Sequence, residues 1–278
     1  MTIFRVTGPL PKPELRLDVA DHGDAGRDGA QLSRIEDDVS PLRALARRAG
    51  LRRFFELGGD WLRFQVDHVT APRYQPLPWR ETRQRAIRAE SVSRWEAMLP
   101  VIRELEPRSA VDIGCSIGWF TVKLASLGIV TQGIEPFPPY YRTAIFALKR
   151  MREERAAVSV MELNEQTASL LPRIDCSLFL ALWHHLVRRY GESAATTILS
   201  EVWARTDKVL FFESGETEMG PEFGLPRLEP DARTWFTDYL GRVCHGGAVR
   251  HLGLHHAGTT EGRIVRRNLF AVVREETA

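Results

Sequence analysis

From Ser109 onward, short apolar runs alternate with segments of helical period, and this alternation restricts the fold more than any other feature of the chain. Such runs bury both faces when crossover helices stack on a parallel sheet. SAVDIG, VTQGIEP, AAVSVMEL, IDCSLFLAL and KVLFFES read as five strands in that order. The segments at about Trp119 to Leu127, Pro139 to Glu154, Glu165 to Leu170 and Glu192 to Arg205 read as the helices between them. A further helix is expected near Asp231 to Arg242. Beyond it, AVRHLGLHH and IVRRNLFAVV are separated by AGTTEGR, a length suited to a hairpin, so the sheet should end antiparallel. The expectation is an α/β fold with a doubly wound sheet of seven strands and an antiparallel last strand.

The region before this pattern is different in kind. Residues 1–40 are rich in Pro, Gly and Asp, with little periodicity, and read as a flexible arm. Residues 41–106 read as an N-terminal helical extension, with Leu42, Leu45, Ala46, Leu51 and Phe55 at helical spacing. A longer helix is expected from about Glu81 to Leu105, with Ile87, Val92, Trp95, Leu99 and Ile102 as its buried stripe. Between them, Thr70 to Trp79 carries three prolines and suits a shaped loop. Residues 107–278 are left as the catalytic domain.

Charge and composition exclude some classes of function. Lys and Arg total 38 against 36 for Asp and Glu, and a net charge of +2 makes wholesale nucleic-acid binding an unfavoured expectation. No apolar run reaches the roughly 20 residues that cross a bilayer, and the first residues lack the apolar core of a signal peptide. A soluble cytoplasmic protein without membrane contacts is therefore expected. Cys115, Cys176 and Cys244 are odd in number and far apart, which argues against a disulfide framework or a thiolate zinc site.

The loop from Gly114 through Cys115, Ser116 and Ile117 to Gly118 follows the first strand and opens a helix. Its backbone can therefore approach a ligand beside free helix N–H groups. The same residues spell G-x-S-x-G, in which Ser116 would be the nucleophile of a hydrolase, with Asp207 and His251 as candidate partners. Against that reading, the loop follows the first strand of the sheet, and the string His245-Gly246-Gly247 lies after the serine. The dinucleotide pattern G-x-G-x-x-G is absent, because Ser116 and Phe120 occupy positions that it gives to glycine.

Asp112 before the loop and Glu135 at the end of the second strand decide among these readings. VDIGCSIGWF and GIEPF resemble the first two motifs of the class I, Rossmann-like S-adenosylmethionine-dependent methyltransferases, and the likeness extends from about Ser109 to Glu275. The resemblance implies S-adenosylmethionine as cofactor. The backbone of Gly114, Cys115, Ser116 and Gly118 would pass beneath its methionine part and ribose, and Asp112 would support the loop and the cofactor amino group. Glu135 would accept hydrogen bonds from the two ribose hydroxyls. Glu162 and Asn164, on either side of Leu163, fall where the family contacts the adenine. Asn164 equally fits a helix N-cap before Glu165.

In such a sheet the ligand lies beyond the carboxyl ends of the strands, which puts His184, His185 and Glu213 at the ends of strands four and five. A neutral histidine suits deprotonation of a hydroxyl acceptor at pH 7; alternatively one ring packs against the sheet and the other caps a turn. Glu213 would hold the acceptor or, with a histidine, a divalent metal, although no recognised ligand spacing favours one. His245, His251, His255 and His256 alternate direction and cannot all converge. Trp61, Tyr74, Trp79, Arg73, Arg80 and Arg83 lie where relatives carry a lid; their rings would stack on an acceptor or anchor the helices. The expected reaction is O-methylation of a small polar acceptor such as a saccharide. A nucleoside- or RNA-modifying enzyme, a serine hydrolase and a cofactor-binding protein without turnover are the alternatives.

Overall fold

The structure is a computed structural model that describes residues 62, 75–80, 89–260 and 263–275. The chain divides into two compact units, Met1–Leu62 and Arg63–Ala278, and the second holds every described residue except Leu62. The expected arm lies outside the described residues, as do Trp61, Arg73, Tyr74 and Arg83.

A short 3-10 turn, Pro78–Arg80, precedes α1 (Ala89–Leu105). Then follow β1 (Ser109–Ile113), α2 (Trp119–Ser126), β2 (Val130–Ile134), α3 (Pro138–Met151), β3 (Ala156–Ser159) and the one-turn α4 (Glu165–Ala168). The second half continues through β4 (Ile174–Leu180), α5 (Trp183–Tyr190), α6 (Glu192–Ala204), β5 (Thr206–Glu213), α7 (Ala232–Val243), β6 (Gly247–Thr260) and β7 (Arg263–Arg274). The strands form one sheet in the order β3-β2-β1-β4-β5-β7-β6. Pairing is parallel from β3 to β5, and β7 runs antiparallel between β5 and β6. The expected doubly wound sheet with an antiparallel last strand is present.

Apolar side chains on alternate strand residues face opposite layers, so the sheet separates two cores. One lies under α1 and α2 and contains Trp95, Met98, Trp119, Phe120, Leu178 and Phe211. The other lies under α4 to α7 and contains Phe179, Trp183, Ile198, Phe212 and Phe236. Val92, Trp95 and Ile102 of the expected α1 stripe are buried, with Met98 at its centre.

Two differences from the sequence reading affect the site. β4 ends at Leu180, and Trp183, His184 and His185 open α5 instead of extending the strand. Ala181 turns the chain there with φ 53, and Leu182 caps the helix that Leu186 and Val187 anchor in the core. In addition, β6 and β7 stay paired out to Thr260 and Arg263, so most of the expected AGTTEGR loop is strand. No helix among the described residues is long and apolar enough to cross a membrane.

Candidate functional site

The sheet order reverses between β1 and β4, and their carboxyl ends open the crevice where doubly wound sheets place ligands. The loop after β1 enters it with Gly114, Ser116 and Gly118 all at positive φ, 71°, 53° and 78°. Gly118 is required twice: a Cβ would be strained there and would lie 3.0 Å from that of Ala144 on α3. Ser116 takes the left-handed conformation without being glycine, at a cost of about 1 kcal/mol.

Glu135 holds the strained loop in place. One carboxylate oxygen accepts the backbone N–H of Ser116 at 2.9 Å and the other accepts that of Phe137 at 2.8 Å. A carboxylate offers about four acceptor sites, so two bonds leave capacity for a ligand's hydroxyls. Asp112, on the neighbouring strand, accepts the Thr121 hydroxyl at 2.7 Å and ties β1 to α2. Burial pushes both acids up, Glu135 to about 7 and Asp112 to about 6, against the opposing pull of these hydrogen bonds.

Thr121 and Gly133 are parts of this site that the sequence reading missed. A Cβ on Gly133 would lie 3.0 Å from the Cys115 sulfur and 3.1 Å from the Thr121 hydroxyl, so the bare backbone of β2 lets the loop pack. The acid of DIG followed by a threonine on the next helix was the available signal for Thr121. Cys115 is fully buried, and the Ser116 hydroxyl is buried without a hydrogen-bond partner. Among the described residues no base bonds the Ser116 hydroxyl, whereas a hydrolytic nucleophile needs an exposed oxygen bonded to a base.

Next to this region, Asn164 caps α4. Its Oδ1 accepts the N–H groups of Gln166 and Thr167, and the Thr167 hydroxyl accepts the Asn164 N–H. Glu162 accepts the Tyr190 hydroxyl at 2.5 Å and pairs with Arg189 at 2.7 Å, which joins the end of β3 to α5.

Across the crevice, His184 is buried at the start of α5 and His185 beside it is exposed, with ring centroids 4.2 Å apart. The N–H of Gly215 donates to His184 Nδ1 at 2.8 Å, and the Ser214 hydroxyl lies 3.4 Å from the same atom. Phe223, in the 3-10 turn Pro221–Phe223, packs against both imidazoles at 5.7 and 5.8 Å, and Arg188 lies over its ring. Burial, with the charges of His185 and Arg267, pushes His184 well below 6.5. His185, exposed as a residue but with its ring set against His184 and Phe223, is lowered by the partial desolvation of that ring and by the charges of Arg267 and Arg188.

Glu213 is not open to the crevice. It is wholly buried and both its oxygens accept Arg94 NH1 at 3.0 Å, with Arg267 at 3.7 Å. It was expected to hold an acceptor or a metal; the structure shows it in an enclosed ion pair that fastens α1 to β5. Behind it, Glu216 accepts the backbone and side-chain amides of Asn268, and Arg267 donates to Glu218 at 2.7 Å. Among the described residues, no three His, Cys, Asp or Glu side chains gather as a metal site. His251 binds Asn268 and His255 binds Ser93, on separate partners. Trp79 packs edge-on against Phe146 of α3 at 5.2 Å with Arg150 over its ring, which is an anchoring contact.

No protein-family model matches the chain, and no curated protein sequence does. Solved structures do match it. The bifunctional kinase-methyltransferase WbdD aligns at 18% identity with a TM-score of 0.59, over 75% of this chain and 45% of that one. Magnesium protoporphyrin IX methyltransferase (ChlM) from Synechocystis PCC 6803, with bound SAH, aligns at 16% identity with a TM-score of 0.50, over 86% of this chain and 100% of that one. The chain thus spans less than half the length of WbdD. Strand order, the antiparallel β7 and this alignment agree: the chain has the class I, Rossmann-like methyltransferase fold.

Proposed function

We propose that the protein is an S-adenosylmethionine-dependent methyltransferase that methylates a hydroxyl of a small polar acceptor, with a saccharide ahead of an RNA nucleotide. The observation that carries the cofactor is Glu135, a buried carboxylate at the end of β2 that braces the positive-φ loop while keeping acceptor capacity for two ribose hydroxyls. The solved ChlM structure with bound SAH has the same fold and supports the assignment. Methyl transfer is an in-line displacement at a sulfonium, so the acceptor oxygen must approach from the side opposite the sulfur. The histidine doublet that opens α5 beyond the carboxyl end of β4 supports a base on the acceptor side. The near-neutral net charge supports an uncharged acceptor over a polyphosphate chain.

Thermal unfolding with S-adenosylmethionine, S-adenosylhomocysteine or NAD tests this. Either of the first two at a hundredfold excess over its dissociation constant should add about 2.7 kcal/mol of stability. A shift with NAD alone would refute the assignment. The acceptor is tested by salt: contacts with several phosphates make activity fall steeply from about 50 to 200 mM, whereas a neutral sugar should hardly respond.

A further inference from the structure

The two histidines of α5 are chemically unequal, and the reason is the backbone N–H of Gly215. An N–H can only donate, so the Nδ1 of His184 that receives it at 2.8 Å carries no proton. The single proton of the neutral ring is therefore on Nε2. A Cβ at residue 215 would lie 3.0 Å from the His184 ring, so glycine is what permits this approach. A second proton on Nδ1 would set two N–H groups against each other and bury a cation facing Arg267 of β7, beside His185 and near Arg188 of α5. The acids of the loop after β5 point to other partners, Glu216 accepting from Asn268 and Glu218 from Arg267, and neither bonds the His184 ring. Nothing among the described residues accepts from His184 Nε2, and none bonds either nitrogen of His185.

We propose that the doublet divides the work of methyl transfer: His184 is a fixed Nε2–H donor that orients the acceptor oxygen, and His185 alone is the base. The division rests on the methyltransferase reading and specifies which residue does what within it. As the acceptor oxygen bonds to the methyl carbon, its proton passes to a bare nitrogen of His185. The carbon–sulfur bond breaks with its electron pair kept by sulfur, which leaves as the neutral thioether. The His185 imidazolium then returns the proton to water. His184 gains and loses nothing in the cycle, which suits a group whose tautomer is held by the main chain.

Side-chain nitrogen NMR of the full chain, labelled with nitrogen-15 at histidine, reads both rings from about pH 5 to about pH 9 without an acceptor. Signals are assigned from His184→Gln and His185→Gln; should His184→Gln fail to fold, the contact of the His184 ring with the Gly215 N–H assigns it. The expected result is a His184 ring protonated on Nε2 alone throughout, and a His185 ring that becomes cationic towards the acid end, below 6.5. A proton on Nδ1 of His184, or a His184 ring that charges together with His185, overturns the division. So does a His185 ring that is still cationic at about pH 9, since it has no lone pair to take the acceptor's proton. Failure of the protein to bind S-adenosylmethionine would overturn the methyltransferase reading instead, with the tautomer result left standing.

Discussion

Around the ends of β1 and β2, the polar contacts are short in sequence and use the main chain: Glu135 takes N–H groups from residues 2 and 19 positions away, and Asp112 takes a hydroxyl 9 away. Around the ends of β4 and β5, the contacts join side chains far apart, with separations of 119 for Arg94 and Glu213, 52 for Asn268 and Glu216, and 49 for Arg267 and Glu218. The first region is shaped by local backbone geometry, and it is the one proposed above to take the cofactor. The second is a wall assembled from several elements, in which the charged groups are partnered with each other or with Asn268.

The largest effect should come from breaking the long-range side. Arg94→Met removes the closest counter-charge of a buried carboxylate and should lower unfolding stability by about 3 to 5 kcal/mol in chemical denaturation. Replacing both partners, Arg94→Met with Glu213→Leu, should recover most of that loss. A single variant that loses under about 1 kcal/mol would show that the pair does not hold the wall.

On the cofactor side, the expected signature is pH dependence. Glu135 is pushed up to about 7, so if its carboxylate accepts the ribose hydroxyls as proposed, protonation near neutrality weakens that contact. Affinity for S-adenosylmethionine by calorimetry should therefore rise with pH, by up to about tenfold per unit below 7, and level off above it. The folded protein holds this proton more tightly than the unfolded chain, so stability without ligand should fall as pH rises from 4.5 through about 7. Glu135→Gln should flatten the affinity curve and reduce the slope of the stability curve, leaving the part due to Asp112, which is pushed up to about 6. Glu135→Ala should weaken binding by roughly 1.5 to 3 kcal/mol and also destabilise the loop, because two N–H groups lose their acceptor. Wild-type affinity in a folded Glu135→Ala variant would put the ribose elsewhere.

The smallest effect sharpens the boundary between the regions. Asn164→Ala should lower stability by about 1 kcal/mol through loss of the α4 cap, with cofactor affinity unchanged. An affinity drop of tenfold or more would mean that its amide also reaches the adenine.

The order of strands and helices and the glycine loop with its two acids were legible in the amino-acid sequence. Period-two and period-3.6 patterns and positive-φ turns are properties of neighbouring residues, and Gly114, Gly118, Asp112 and Glu135 act within one strand-loop-helix unit and the strand beside it. What pairs with Glu213, which histidine has a free nitrogen and where β4 gives way to α5 were decided by the tertiary structure. Arg94 is separated from Glu213 by most of the sheet in sequence, and the proton position on His184 depends on a main-chain N–H brought to it by the end of another strand. A charged or titratable side chain can be recognised from its type, but its role is set by the partner that folding brings within hydrogen-bond distance, and that partner has no local signature.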